Sequence, residues 1–246
     1  MTFFEIIGKM IKQHIVFLTG AGISAESGLA TFRGKNGLWT NNEWQYLAST
    51  DGLYYDTEKS LEFYNWRRKQ LAEVQPNQAH ILIAELEKEH KVTVITQNVD
   101  DLHERAGSSN VIHLHGELRK VCSSKNRYDP NYIKDYPLTT PIKVGDDAGD
   151  DSQMRPYIVL FGEYVHGIEA AQDLVENADI FVVVGTSLLV YPANNLILYA
   201  HKEIPKFVIN PDDMPHCENL GYTHIKTTAT EGMEILVKRL KEMSLR

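Results

Sequence analysis

Four short runs carry the residues whose types and spacing could do chemistry. GAGISA, from Gly20 through Ala21, Gly22, Ile23 and Ser24 to Ala25, fits the G-x-G-x-x-A form of a dinucleotide loop, in which glycines permit a tight turn and let backbone amides approach a pyrophosphate. A purely structural glycine turn is the plain alternative. No second strand ending in an acid follows within the few dozen residues that a nicotinamide dehydrogenase would need. The loop runs on instead as AESGLATFRGKNGLW, carrying Phe32, Arg33 and Trp39, so that an apolar ring and a fixed cation stand next to the phosphate region as a cofactor lid would. Gln97, Asn98 and Asp100 directly follow the apolar run KVTVIT, where polar groups can orient a ribose and an amide. A turn in which Asp100 caps a helix accounts for the same residues. Tyr64 and Arg67, three apart in FYNWRRKQ, project from nearly the same face of a helix. A phenol and a guanidinium so arranged can bind a carboxylate, whereas Arg67, Arg68 and Lys69 together also fit a solvated basic face. HLHG supplies His113 and His115; an imidazole titrates near neutrality, although for any one of ten histidines a surface or core place is the default.

These residues must be positioned by the elements around them. β-branched runs recur as HIVFLTG from His14, KVTVITQ from Lys91, VIHLHG from Val111, YIVLFG from Tyr157, IFVVVGT from Ile180 and KFVIN from Lys206, which predicts buried strands. Helical periodicity appears between most of them, in AHILIAELEKEH from Ala79, IEAAQDLVENA from Ile168, NNLILYAHK from Asn194 and EGMEILVKRLKEM from Glu231. The N-terminal MTFFEIIGKMIKQH predicts an amphipathic first helix. Such alternation predicts an α/β chain with an open, mainly parallel sheet, which binds ligands beyond the carboxyl ends of its strands. The polar residues of interest directly follow those runs. Two stretches break the alternation. Residues 35–78 carry no strand signal but include the helical LEFYNWRRKQLAEV, closed by Pro76. Residues from about 117 to 155 are polar, with Pro130, Pro137, Pro141 and GDDAGDD, and by composition alone predict a flexible surface loop.

Composition narrows the classes. With 246 residues, 43% hydrophobic and 24% charged, the chain can bury a proper core. Its longest apolar runs fall short of the roughly 20 residues needed to cross a bilayer, so neither a membrane span nor a membrane partner is expected. With no leader signal in the N-terminal run, a cytoplasmic location is expected. A net charge of −8 opposes tight phosphate-backbone binding, so nucleic acid is not an expected partner. Two cysteines, Cys122 and Cys217, are too few for a disulfide framework or a four-cysteine zinc site.

GAGISAESGLATFRG, TQNVDDLHERAG from Thr96, HLHGEL from His113, RPYIVLFGE from Arg155 and GTSLLVYPA from Gly185 occur in that order. Together they resemble the sirtuins across most of the chain, from Gly20 to about Asn210. The resemblance implies a Rossmann-like parallel sheet with helices on both faces, formed by residues 1–34, 79–116 and 156–246 as the NAD-binding domain. A small domain made from two insertions, the helical 35–78 and the zinc-module equivalent 117–155, accompanies it. The implied activity is NAD-dependent protein-lysine deacylation, in which NAD is consumed: acyl oxygen attacks the nicotinamide ribose, nicotinamide leaves, and a base then activates a ribose hydroxyl. The resemblance gives that base role to His115, with Gln97, Asn98 and Asp100 around it. It gives adenosine and ribose contacts to Gly185, Thr186, Ser187 and Asn210, with Ala229 at the adenine, although Ser187 also suits helix capping. IVLFGE, with Val159, Phe161 and Gly162, is expected to offer an edge to the acyl-lysine peptide, a role compatible with an ordinary buried strand. The Y-x-x-R pair resembles the subgroup that removes succinyl, malonyl or glutaryl groups. NAD hydrolysis and mono-ADP-ribosyl transfer are the alternative activities. Most sirtuins hold a structural zinc on four cysteines, but here Cys122 is alone in its stretch, so no zinc is expected and residues 117–155 must be held by other packing or be mobile.

Overall fold

The protein was analysed as a computed structural model that describes residues 12–31 and 42–244. The expected first helix and the lid residues Phe32, Arg33 and Trp39 lie outside the described residues. β-branched and aromatic side chains suit a pleated, packed surface, and they form β1 (His14–Thr19), β2 (Lys91–Thr96), β3 (Val111–His113), β4 (Gly116–Ser123), β5 (Lys134–Asp135), β6 (Met154–Ile158), β7 (Ile180–Val184), β8 (Lys206–Ile209) and β9 (Thr223–Ile225). The helices are α1 (Gly22–Ala25), α2 (Asn42–Leu47), α3 (Thr50–Tyr55), α4 (Thr57–Glu73), α5 (Gln78–Leu86), α6 (Leu102–Ala106), α7 (Ile168–Glu176), α8 (Pro215–Asn219) and α9 (Ala229–Ser244). None among the described residues is long and apolar enough to cross a membrane.

Six strands form one parallel sheet in the order β3-β2-β1-β7-β8-β9. Successive side chains of a strand point to opposite faces, and both faces are covered. Val16, Leu18, Phe181 and Val183 pack with Ala171 and Val175 of α7; Ile15, Phe17, Val182 and Val184 pack with Ile83 of α5 and with Met233 and Leu236 of α9. Burial on both sides explains why these strands are continuous apolar runs rather than alternating ones. Chain order reverses between β1 and β7, the switch point at which such sheets leave a crevice.

Two expectations need correction. The run from Tyr157 does not join the parallel sheet: its strand is β6, ending at Ile158 and paired antiparallel with β4. Beyond Ile158 the amides bond elsewhere, Val159 N to His115 O at 2.8 Å and Phe161 N to Ala48 O at 2.9 Å. The segment expected as a helix from Asn194 is a 3₁₀ turn, Ala193–Leu198, because Asn195 and Tyr199 bond three residues back, to Pro192 and Leu196. Core spacing by threes, at Ala193 and Leu196, suits either geometry.

The polar stretch 117–155 is irregular over most of its middle, but its two ends and Lys134–Asp135 pair as a three-stranded antiparallel sheet, β5-β4-β6. Four thiolates cannot be assembled there, since Cys122 is its one cysteine. That sulfur lies on the Pro156 carbonyl at 3.7 Å, and burial pushes the thiol up to about 11. A tetrahedral structural zinc does not fit these residues. A cation of another kind holds the sheet to α4. Arg68 is fully buried and donates to the carbonyls of Leu118 (3.1 Å), Thr140 (2.7 Å), Tyr136 (3.2 Å) and Pro137 (2.7 Å), with its guanidinium 5.1 Å from the Tyr136 ring centre. Asn65 adds a two-way amide pairing with Ile142. A second tie joins the turn after β4 to the turn before β6, where Ser123 Oγ meets Asp150 at 2.7 Å and Ser152 at 2.9 Å.

Hydrogen bonds to a charged group are each worth about 1.5–3 kcal/mol. Arg68→Met should therefore cost roughly 3 kcal/mol or more in urea unfolding, while a strong chelator leaves the wild-type midpoint unchanged. A midpoint that falls with the chelator and is insensitive to Arg68 would assign the tie to a metal instead.

Candidate active site

The ends of the central strands lie level. Thr19 is in register with Thr96 on one side and Val184 on the other, and Val184 with Ile209, so Gly20, Gln97, Gly185 and Asn210 leave the sheet side by side. The glycine loop and the Gly185 loop touch closely: Gly22 N donates to Gly185 O at 2.7 Å. A Cβ on Gly20 would lie 2.7 Å from Thr186 Cβ, and one on Gly22 2.7 Å from Gly185 Cα. Gly185 itself has φ +62°, in the left-handed region that favours glycine. The glycines thus serve first to let two strand-end loops meet. Their amides are engaged within the chain, Gly20 N on Val184 O, Gly22 N on Gly185 O and Gly185 N on Ile209 O.

A cavity of about 530 Å³ opens over these ends, within the range of small-molecule and cofactor sites. It brings together most residues the sequence singles out. Gly20, Ala21, Gly22, Gly185, Thr186, Ser187, Asn210 and Ala229 line it. Gln97, Asn98 and His115 line the same cavity, as do Tyr64, Arg67, Val159, Phe161 and Gly162. Hydrogen bonds fix the polar members: Gln97 Nε2 donates to Thr186 Oγ1 at 3.0 Å, and Asn210 Nδ2 to Thr186 O at 3.0 Å. Ile23 is not in the cavity; it is fully buried in the core under β1. Ser24 and Asp100 line a separate recess of about 10 Å³, room for about one water, whose wall shares Ala21, Arg67 and Asn98 with the main cavity. There Ser24 Oγ donates to Asp100 Oδ2 at 3.0 Å and accepts from Asn98 Nδ2 at 3.2 Å, while Asn98 also donates to Gly20 O. Asp100 Oδ1 accepts from Leu102 N at 3.2 Å, so it also holds the entry to α6. Burial raises the Asp100 carboxyl above its ordinary range, opposed by these hydrogen bonds.

The two histidines of HLHG differ. His113 gives both ring nitrogens away, Nδ1 to Asn98 O at 3.1 Å and Nε2 to Glu104 at 2.7 Å. Burial disfavours its charge, but the Glu104 carboxylate more than compensates and raises it above the ordinary histidine value. Among the described residues His115 makes one side-chain bond, Nδ1 to Gln97 O at 2.9 Å. A carbonyl only accepts, so Nδ1 carries the proton and the Nε2 lone pair of the neutral ring is left for the cavity. Burial, helped by the charge of Arg127, lowers His115 below the ordinary value. It is thus kept neutral near pH 7, as a general base must be.

Tyr64 and Arg67 are 8% and 7% exposed, so they form a lined pocket wall rather than a solvated basic face. Burial lowers the Arg67 guanidinium, which the charge of Asp100 counteracts, and raises the Tyr64 phenol.

The Sir2 family model matches residues 20–192. A curated "NAD-dependent protein deacylase" of Bacteroides thetaiotaomicron is 51% identical over 93% of this chain and 98% of its own length. Among solved structures, a mutant Sir2 homologue in complex with ADP ribose superposes with a TM-score of 0.83 at 38% identity, covering 100% of this chain and 99% of the other. A Sir2 homologue–NAD complex does so at 0.80 and 37%, covering 99% and 95%. This chain belongs to the Sir2 family. Its large sheet is the Rossmann-like Sir2 sheet seen in those structures.

This Sir2 chain also lines its cavity with residues that sequence reading passed over. These are Ala48, Phe63 and Leu160, together with Glu26, Tyr191 and Asp212. Glu26 belongs to the glycine motif itself and Phe63 adjoins Tyr64, so both were within reach; Ala48 arrives only through its bond to Phe161, which no local pattern encodes. Glu104, His113 and Glu117 form the metal-ligand cluster found among the described residues. With both His113 nitrogens donating, the group is an ion pair rather than a ligand set.

Beneath the glycine loop two more histidines are buried. His80 Nδ1 meets Asn77 and its Nε2 faces Ser24 Oγ at 3.5 Å; its ring packs edge-on against His103, whose Nε2 meets Thr19 Oγ1 at 3.0 Å. Burial lowers His80 to about 4 and His103 also well below the ordinary value. A histidine neutral in the fold and titrating near 6.5 when unfolded favours the unfolded chain as pH falls between the two values. The urea midpoint should hold above pH 7 and fall below about 6.5, His80 alone costing about 2 kcal/mol by pH 5. His113, stabilised when charged, offsets one such contribution; an unfolding free energy that is flat from pH 7.5 to 5 would mean the buried histidines take up protons without strain.

Proposed function

We propose that this chain is an NAD-dependent protein-lysine deacylase that removes acetyl groups and, through Tyr64 and Arg67, succinyl and malonyl groups, consuming NAD and one water and giving nicotinamide, O-acyl-ADP-ribose and free lysine. The observation that carries the reading is the one cavity that His115, its Nε2 unbonded among the described residues, lines together with the strand-end loops and with Tyr64 and Arg67. It is consistent with the name of the Bacteroides relative, which acts on protein and depends on NAD. Acyl-lysine peptides are accordingly the partners proposed.

In this reading NAD supplies a ribosyl carbon that nicotinamide leaves and an acyl oxygen attacks. The chain's residues do the rest. Thr186, Ser187, Asn210 and Ala229 hold the adenosine side beyond the Gly20–Gly22 loop. Asn98, fastened to Gly20 O and Ser24, and Gln97, fastened to Thr186, orient the ribose and nicotinamide amide at the middle. His115 accepts a proton from a ribose hydroxyl at Nε2, its ring aligned by Gln97 O. A positioned base of this kind is worth about 100- to 10,000-fold. Val159, Phe161 and Gly162 guide the acyl-lysine chain inward, and the apolar Phe63 and Leu160 keep water from it. At the end of the channel the Tyr64 hydroxyl and Arg67 guanidinium receive a terminal carboxylate, while an acetyl group fits without using them.

Purified protein with NAD and matched acetyl- and succinyl-lysine peptides, followed by mass spectrometry, tests this. His115→Ala should lose about 100-fold or more on both peptides, and the wild-type rate should fall on the acid side below the ordinary histidine pKa of about 6.5. Arg67→Met should lose on the order of 10- to 100-fold on the succinyl peptide alone. Equal losses on both peptides would remove the carboxylate role from Arg67. Nicotinamide release with no deacylated peptide would replace deacylation by NAD hydrolysis or ADP-ribosyl transfer.

A further inference from the structure

The wall of the acyl channel is held by an unusual set of bonds. Its amides are fastened one by one: Val159 N to His115 O, Phe161 N to Ala48 O, and Glu163 N back to Leu160 O. Leu160 N alone in this run depends on a side chain, donating to Glu163 Oε2 at 2.8 Å. Leu160 is buried and both Leu160 and Glu163 line the cavity, so the carboxylate satisfies a backbone donor that burial would otherwise penalise. The same carboxylate takes Arg155 Nη2 on Oε1 at 2.6 Å and has Arg127 Nε 3.5 Å from Oε2. Both arginines come from the small antiparallel sheet and its turn, and are 2% and 5% exposed. Among the described residues, Glu163 is the one carboxylate in ion-pair range of either guanidinium. Arg127 also donates to Tyr164 O at 2.9 Å, gripping the chain on the other side of Glu163.

We infer that Glu163 is a positioning residue for the acyl-lysine channel, its carboxylate fixing the Leu160 amide while Arg155 and Arg127 anchor it to the small sheet. This role rests on the channel reading proposed above. Two buried cations on one anion hold the carboxylate in a single orientation, because releasing it would leave both guanidinium groups buried without a counter-charge. The wall segment can then present a fixed edge to the substrate without being part of a sheet. Among the described residues, the Gly20–Gly22 and Gly185–Ser187 loops make no bond to this triad, so its loss should be felt in KM for the acyl peptide rather than in KM for NAD.

The test uses the full-length protein carrying Glu163→Gln, with Arg127→Lys as a second variant that retains the buried charge if the first folds poorly. KM for the acyl peptide should rise about tenfold or more in Glu163→Gln, with KM for NAD within about threefold of wild type. In parallel, amide exchange read by NMR should accelerate at Leu160 while Val159 and Phe161 stay protected, a readout that needs no activity. A rise in both KM values together, or equal loss of protection at all three amides, would reduce Glu163 to a general structural prop. An unchanged peptide KM with a protected Leu160 amide would overturn the role outright. If the wild type deacylates no peptide but Leu160 exchange responds as expected, the channel assignment fails and the clamp stands.

Discussion

Everything in this molecule depends on the contact between two strand-end loops at the reversal of chain order. β1 and β7 lie side by side with their last residues level, and each must turn away without pushing the other aside. Gly22 and Gly185 approach so closely that a methyl group on either would strike backbone. Because of that contact, the residues that follow four strands, Gly20, Gln97, Gly185 and Asn210, arrive at one height over one cavity. The sheet supplies rigidity through apolar burial on both faces, worth about 25 cal/mol per Å² removed from water, and the ends of its strands carry the polar groups that burial would otherwise penalise. Packing and chemistry are thereby separated along each strand, with the boundary at the carboxyl end.

The small sheet answers a different constraint. A polar stretch of about forty residues has little apolar surface of its own, and its core is modest: Leu61, Val121, Ile142, Ala148 and Met154. Its fastening instead relies on directional groups. Arg68 collects four carbonyls from the stretch, and Ser123 joins two turns through Asp150 and Ser152. A guanidinium with five donors in a fixed fork can gather several carbonyl oxygens, much as a metal gathers ligands. Arg127 and Arg155 extend the same principle toward the cavity, where they meet Glu163. Three buried arginines therefore link the polar stretch to α4 on one side and to the segment after β6 on the other.

Much of this was legible in the sequence, and what was not has a physical cause. The parallel strands announce themselves because burial on both faces demands unbroken apolar runs. The polar groups after KVTVIT and IFVVV could be singled out because they follow such runs directly. Asp100 shows that the functional and plain readings need not compete, since it both bonds Ser24 beside the cavity and receives the Leu102 amide at the start of α6. β4 and β5 were hidden because tertiary hydrogen bonds, not periodicity, hold them. The end of β6 was misplaced because Val159 and Phe161 are as apolar as strand residues, yet their amides are claimed by His115 and Ala48, positions far away in the chain. Arg68 read as one member of a surface charge run, and only the carbonyls around it reveal its burial.

The electrostatics of the cavity tie its residues together. Arg67 lines both the main cavity and the recess that holds Asp100, and the Asp100 charge opposes the loss of charge that burial would impose on Arg67. The Arg67 charge is therefore partly sustained by a carboxylate that also bonds Ser24, which in turn accepts from Asn98. Farther along, Arg127 acts in the opposite sense on His115, helping to keep the ring neutral while sharing Glu163 with Arg155. Burial disfavours charge on both Arg67 and His115, but their neighbours act in opposite senses: the Asp100 charge opposes the effect of burial at Arg67, and the Arg127 charge adds to it at His115. An arginine starts from so high a pKa that it stays a cation under such a shift, whereas an imidazole shifted in the same direction is driven further toward its neutral form.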